Sequence, residues 1–312
     1  MRFIIAIVGI LFLAGCQQSM ARKNTIFKNY MDAQRQKLFK SEISSEEYAK
    51  GFKAKYNELF GGQKLEFAKH ENKELKGLWL ASYMMAYYSL EQKYVQQLEN
   101  IFGNLKQRNL DKEECSASPC VEELFGIYLR FSDFQMAKQL AKQYPDILTD
   151  YIPDINEDVA MLRKPYRLYK ISPDGKSLNL ISLQMADDKK IVALMNPECH
   201  FAQQAMSTIS STPDLRNYFE KHALIISPVY TSLSSIAKAA EWNKNNPKLE
   251  YLIYLDKNNI REDWKQFDFN AMTDFYFLKN NQIIYRIPGW PSTEEEFIAE
   301  MRNAINKLEN GD

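Results

Sequence analysis

The chain is short of several things, and each shortage excludes a class of protein. It has 11 glycines and 11 prolines in 312 residues, too few for a fibrous or low-complexity protein. It has no excess charge of either sign, with 40 Lys and Arg against 40 Asp and Glu. Binding nucleic acid through bulk charge needs clustered excess cation, so no nucleic-acid partner is expected. There are only 3 histidines and 4 cysteines, with no His-Glu-x-x-His, no Gly-rich phosphate loop and no nucleophile elbow. Beyond the first residues, no apolar run is long enough to cross a ~30 Å hydrocarbon core. Core material is plentiful: 45% of residues are hydrophobic and 13% aromatic, which excludes a disordered chain. The length is that of about two domains.

Met1-Arg2 leads into an apolar run from Phe3 to Leu13, then Ala14-Gly15 and Cys16. One basic residue, a short apolar core and small residues before a cut are the layout of an export signal. Leu13-Ala14-Gly15-Cys16 resembles the bacterial lipobox. That resemblance implies that residues 1–15 are removed and that Cys16 becomes a lipidated N-terminus. A plain signal or a short anchor is the alternative reading. Gln17 stands where Asp would resemble an inner-membrane retention signal, so the outer membrane is expected, with the protein facing the periplasm. Residues 16–24 read as a polar tether.

From residue 25 to about residue 162 the pattern is helical. Ser45-Glu46-Glu47 opens a segment with Tyr48, Phe52, Tyr56, Leu59 and Phe60 at helical spacing, ended by Gly61-Gly62. Further stripes run through Leu75 to Tyr87, Tyr94 to Leu105, Val121 to Leu129, and Met136 to Leu140 before Pro145. These short helices resemble tetratricopeptide-like pairs, but no period of about 34 residues is present, and an irregular bundle fits equally. An aromatic stripe such as Tyr83, Tyr87 and Tyr88 is expected in a core.

From Pro165 the pattern becomes one of strands. Tyr166 to Ile171, the turn Pro173-Asp174-Gly175-Lys176, and Leu178 to Leu183 make a hairpin. Ile191 to Met195 is a continuous apolar run, as in a strand buried on both faces. A helix with Phe201, Ala205, Met206 and Ile209 on its apolar face follows, then a strand from Ala223 to Tyr230. A helix through Leu233 and Ile236 and a strand from Leu249 to Leu255 come next. A hairpin, Phe275 to Leu278 with Ile283 to Ile287, precedes a last helix capped by Ser292 with Glu295 as its capping box.

This order, from hairpin to last helix, resembles the thioredoxin fold of the TlpA and redoxin type. The expected fold class is an α/β thioredoxin-like C-terminal domain, residues 165–312, preceded by an all-α helical domain, residues 25–162. The resemblance also implies the site. Met195-Asn196-Pro197-Glu198-Cys199-His200-Phe201-Ala202 lies where that family carries Cys-x-x-Cys, and Cys199 matches the attacking cysteine. Helix-end N–H groups and the macrodipole favour a thiolate there, and the charge of His200 would add to this. The chain departs from the family twice. Ala202 stands in place of the resolving cysteine, so an intramolecular dithiol cycle is excluded. Thr273 stands at the position of the family's cis-proline. A peroxiredoxin would need Thr at 196, where Asn stands, and a copper-handling relative would need Cys at 203, where Gln stands.

Cys115 and Cys120, in Glu-Cys-Ser-Ala-Ser-Pro-Cys, are expected to close a small disulfide loop in an oxidising envelope. Metal binding is the alternative, though no His or second cysteine pair lies near. No metal and no cofactor are expected. His70 and His222 read as ordinary surface or helix-end residues. Two functions remain open: thiol exchange through Cys199 and His200 with a thiol client, or a non-catalytic scaffold that binds an envelope protein partner. Either is held to the membrane through its lipid anchor. Cys16→Ala is expected to leave an unprocessed or soluble precursor. Fractionation with the outer membrane after normal processing would overturn the lipoprotein reading.

Overall fold

The structure is a computed structural model. It describes residues 19–40, 42–62, 65–184, 191–257, 260–269 and 273–310. The signal segment, Cys16 and the start of the tether lie outside the described residues. The chain divides into two compact units, Met1–Val121 and Glu122–Asp312. The division falls inside a helix, upstream of residue 162, where the sequence pattern ends the helical domain.

The first unit contains α1 (Met20–Phe39), α2 (Ser45–Phe60), α3 (Asn72–Ser89), α4 (Gln92–Gln107) and the start of α5 (Cys120–Arg130). Residues 20–24, expected in the tether, instead form the beginning of α1. Ser19 Oγ accepts the Arg22 N–H at 3.4 Å and so satisfies a helix-end donor. The driving force lies further along: Phe27 is 1% exposed, with its ring about 6 Å from those of Phe52 and Phe60. Burying one such aromatic side chain contributes about 1.5–3 kcal/mol, enough to order a polar first turn. In α2 the capping box is complete: Glu47 N–H donates to Ser44 Oγ, and Ser44 N–H donates to Glu47 Oε2. The tyrosine stripe of α3, expected in the core, is only half-buried at Tyr83, Tyr87 and Tyr88; the ring of Tyr88 lies 5.2 Å from that of Tyr48.

The second unit continues with α6 (Phe134–Gln143), β1 (Asp154–Asn156), α7 (Val159–Leu162), β2 (Arg167–Ile171) and β3 (Ser177–Ser182). Then come β4 (Ile191–Met195), α8 (His200–Ser211), α9 (Pro213–His222), β5 (Ala223–Pro228), α10 (Ser234–Asn245) and β6 (Tyr251–Tyr254). It closes with α11 (Ile260–Asp263), β7 (Thr273–Lys279), β8 (Gln282–Pro288) and α12 (Glu294–Asn310). Among the described residues these strands form one eight-stranded sheet, ordered β1-β3-β2-β6-β5-β4-β7-β8. β4, β5 and β6 run parallel, while β7 lies antiparallel on the other side of β4 and β8 antiparallel to β7. The β2–β3 hairpin joins the sheet through an antiparallel β2–β6 pair. Its turn forms because Asp174 accepts from the Ser172 hydroxyl and the Lys176 N–H, and Gly175 adopts φ +71°.

Side chains paired across the sheet share a face. Phe275 packs against Phe219 of α9 and Phe297 of α12, which sets those helices on one face. Tyr276 points the other way and meets Phe267 at 5.1 Å. Two expectations are corrected. The cap of α12 is Thr293, whose Oγ1 accepts the Glu296 N–H at 3.2 Å, and not Ser292 with Glu295. The string Ser-Thr-Glu-Glu-Glu offers a glutamate three places after either cap; Phe297, Met301, Ala304 and Leu308 form the buried face of α12. Phe201 is 51% exposed and does not belong to the buried face of α8.

Arg167 and Asp263 form an ion pair at 2.8 Å, with side chains 9% and 12% exposed. The same carboxylate accepts the Arg167 backbone N–H, and Arg167 Nη1 donates to the Leu162 carbonyl. Asp263→Ala removes this carboxylate from the buried Arg167, so a loss of about 3 kcal/mol is expected. Denaturant unfolding followed by tryptophan fluorescence, in the native chain and the variant, checks this. An unchanged midpoint would show that the pair contributes nothing.

Candidate functional site

The turn that carries Cys199 is built by its neighbours. β4 ends at Met195, and Asn196 follows with 9% exposure. Asn196 Oδ1 accepts the Glu198 N–H at 2.9 Å, and the Asn196 carbonyl accepts the Cys199 N–H at 2.9 Å. These bonds fold the chain back through Pro197. Gln203 clamps the turn from the helix: its Nε2 donates to the Pro197 carbonyl at 2.8 Å, and its N–H donates to the Cys199 carbonyl at 3.0 Å. Cys199 is therefore the N-cap of α8, and its side chain makes no capping bond. It is half-buried and free. Ala202, one turn further along, is fully buried.

Thr273 begins β7 and pairs with Met195. Its Oγ1 donates to Cys199 Sγ at 3.8 Å, and its carbonyl accepts the Gly289 N–H at 2.7 Å. Gly289 has φ +73°, a conformation strained for any residue with a Cβ. The structure thus brings Cys199 and Thr273 together. His200 is exposed, with its ring 6.0 Å from that of Phe201. These two line an open cleft of about 470 Å³ with Gln204, Trp290, Pro291 and Ser292. Trp290 is held there by stacking on Phe297 at 4.6 Å.

Cys115 and Cys120 are joined by a disulfide, with Cα atoms 5.0 Å apart. The turn between them is closed by the Cys115 N–H donating to the Ser118 carbonyl at 3.0 Å. His70 pairs with Glu74 at 3.3 Å, and the ring of His222 lies 4.5 Å from that of Tyr218. Among the described residues no three His, Cys, Asp or Glu side chains are grouped as a metal site requires. No helix of the described residues is long and apolar enough to cross a membrane.

Three features near the thiol escape the sequence pattern. The Glu198 carboxylate accepts from the Ser234 hydroxyl at the start of α10, which ties the cysteine turn to that helix. Tyr251, 2% exposed, has its hydroxyl pushed up by burial and then by the charge of Cys199 as thiolate. Asp274, next to Thr273 but on the opposite sheet face, is 2% exposed. Its Oδ2 accepts from Arg286 Nη2 at 2.6 Å and from the Tyr276 hydroxyl at 2.9 Å. A charged residue inside the apolar run of β7 is the one sequence signal for this cluster.

No protein-family model matches the chain, and no curated protein matches it. Among solved structures, the chain is similar to a thioredoxin-like protein from Bacteroides caccae ATCC 43185. The two are 15% identical, the match covers 82% of this chain and 94% of that one, and the TM-score is 0.30. A likeness so loose leaves the fold to be read from topology. Hairpin, β4, α8, β5, α10, β6, hairpin and α12 follow in the expected order, with the cysteine turn between β4 and α8. The second unit is an α/β unit on one mixed eight-stranded sheet, whose element order from β2 to α12 is the one expected of a thioredoxin-like domain, and a helical N-terminal region precedes it.

Burial pushes the Asp274 carboxyl above the usual carboxylate range, against the opposing pull of Arg286 and Tyr276. A carboxyl raised on folding lends stability that is complete below the unfolded value of about 3.9 and is lost as pH rises through the folded value. Urea midpoints of the native chain, taken relative to Asp274→Asn, are therefore expected to fall with rising pH across that window. A difference that is flat, or that rises with pH, would show the carboxyl is not raised.

Proposed function

We propose that the second unit carries out thiol–disulfide exchange through Cys199 alone, in a domain of the TlpA and redoxin type. One observation carries the reading: a free, half-buried cysteine starts α8 directly after the fully buried strand β4, with its side chain uncommitted to the helix end. The hairpin β2–β3, set beside β6, supports the TlpA and redoxin type among thioredoxin-like folds. In the reaction the Cys199 thiol gives its proton to solvent and the sulfur attacks a disulfide R–S–S–R′. A Cys199–S–S–R bond forms, the old S–S bond breaks, and R′–S⁻ leaves and takes up a proton. The incoming disulfide is the oxidant, and no other is needed. With Ala202 in the resolving position, release requires an external thiol. His200, exposed one residue on, would add positive charge when protonated.

The setting proposed is the bacterial envelope. Support comes from the Leu13-Ala14-Gly15-Cys16 string for a lipid anchor, and from the Cys115–Cys120 disulfide, which suits an oxidising compartment. The partner is a thiol client or another envelope protein.

The purified chain, treated with glutathione disulfide, is expected to gain one glutathione at Cys199, seen by mass spectrometry and absent from Cys199→Ser. Decay of that adduct is expected to be faster in Ala202→Cys, because position 202 lies one helical turn from the sulfur. If no adduct forms at neutral pH, exchange falls and the unit stands as a non-catalytic scaffold. If the adduct forms but Ala202→Cys leaves its decay unchanged, position 202 does not face the sulfur.

A further inference from the structure

Without a second thiol in the helix, the fate of anything bonded to Cys199 depends on how readily its own sulfur accepts negative charge. The side chain placed to control that is Thr273. Its pairing with Met195 sets it on the sheet face that packs against α9 and α12. It is 6% exposed, and its carbonyl is already held by Gly289, so the residue has little freedom to turn away. From there its hydroxyl donates to Cys199 Sγ over 3.8 Å. A proline at this position would have no donor to offer.

We propose that Thr273 is the positioning residue of the Cys199 thiol, holding the sulfur by a hydroxyl hydrogen bond that strengthens as the sulfur gains charge. Hydrogen bonds to ionised acceptors are shorter and stronger than those to neutral ones. The bond therefore favours both moments when charge sits on Sγ. The first is before attack, when the thiol has given its proton to solvent. The second is release, when an external thiolate R″–S⁻ attacks the R sulfur of Cys199–S–S–R. R–S–S–R″ then forms, and Cys199 leaves as a thiolate beside the Thr273 hydroxyl. In this way one side chain eases the step for which the missing cysteine would otherwise serve. The role in release rests on the exchange reading; the hydrogen bond to the sulfur does not.

Of the titratable groups nearest the sulfur, Glu198 lies in its turn, His200 starts α8 and Tyr251 lies on β6, while Asp274 with Arg286 occupies the opposite sheet face and Glu294 on α12 accepts from Thr208. All are unchanged by substitutions at Thr273, so such variants isolate the hydroxyl. The test uses the full chain with its disulfide intact. Thiolate ultraviolet absorbance is followed against pH for the native chain, Thr273→Val and Thr273→Ser, each corrected by its Cys199→Ser counterpart. The Thr273→Val curve is expected to move to higher pH and the Thr273→Ser curve to overlay the native one. Release of the glutathione adduct by dithiothreitol is expected to slow about fivefold in Thr273→Val, the scale of one hydrogen bond. If Thr273→Val fails to fold, Thr273→Ala replaces it, with the same expectation. Overlaid curves for the native chain and the variant lacking the hydroxyl overturn the proposal. A displaced curve in a protein that forms no glutathione adduct would uphold the hydrogen bond and sink the exchange reading instead.

Discussion

Strand β4 carries five apolar side chains, Ile191 to Met195, and each is removed from water entirely. A strand with no polar face cannot lie at an edge or on a wet surface. It must be paired on both sides and covered above and below. β5 and β7 supply the pairing, one parallel and one antiparallel, and α9 and α12 cover one face. The site follows from this constraint. Because β4 is central and ends at Met195, the next residues must turn over the sheet, and Asn196 and Gln203 fix how they do so. Because β7 is its antiparallel neighbour, the residue opposite Met195 is Thr273, and the sulfur and the hydroxyl meet.

Much of this was legible in the residues themselves. The apolar run of β4, the Pro-Asp-Gly-Lys turn and the alternation of the last hairpin all express local rules, and those elements lie where the pattern puts them. What escaped was what only tertiary context decides. α1 begins earlier than its polar first turn suggests, because Phe27 is drawn among the rings of α2. Phe201 looks like a core residue by helical spacing, yet it is left exposed beside the buried Ala202 and lines an open cleft. The α12 cap was ambiguous by one residue, since Ser292 and Thr293 are each followed three places on by a glutamate, and the Glu296 N–H goes to Thr293.

The candidate site was half legible. Cys199 and its departure at Ala202 could be read from one short string, since both belong to a single turn and helix. The groups around them could not, because they come from distant segments. Ser234 reaches Glu198 from α10, and Tyr251 on β6 lies where a charge on Cys199 would push its hydroxyl up. Asp274 lies under the same strand register but faces away, tied to Arg286 across the hairpin. Such partners become visible only when the register of the sheet is known.

The order of the strands in space also constrains time. β2 is made early, but one of its two neighbours, β6, lies at residues 251–254. β4 has an open side until β7, residues 273–279, has been made. A chain emerging from a ribosome therefore holds its most water-averse strand without a complete lodging until nearly all of it is out. The second unit can close only as a late, concerted event. Its non-local pairing is of the kind that folds slowly and exposes sticky surface in transit.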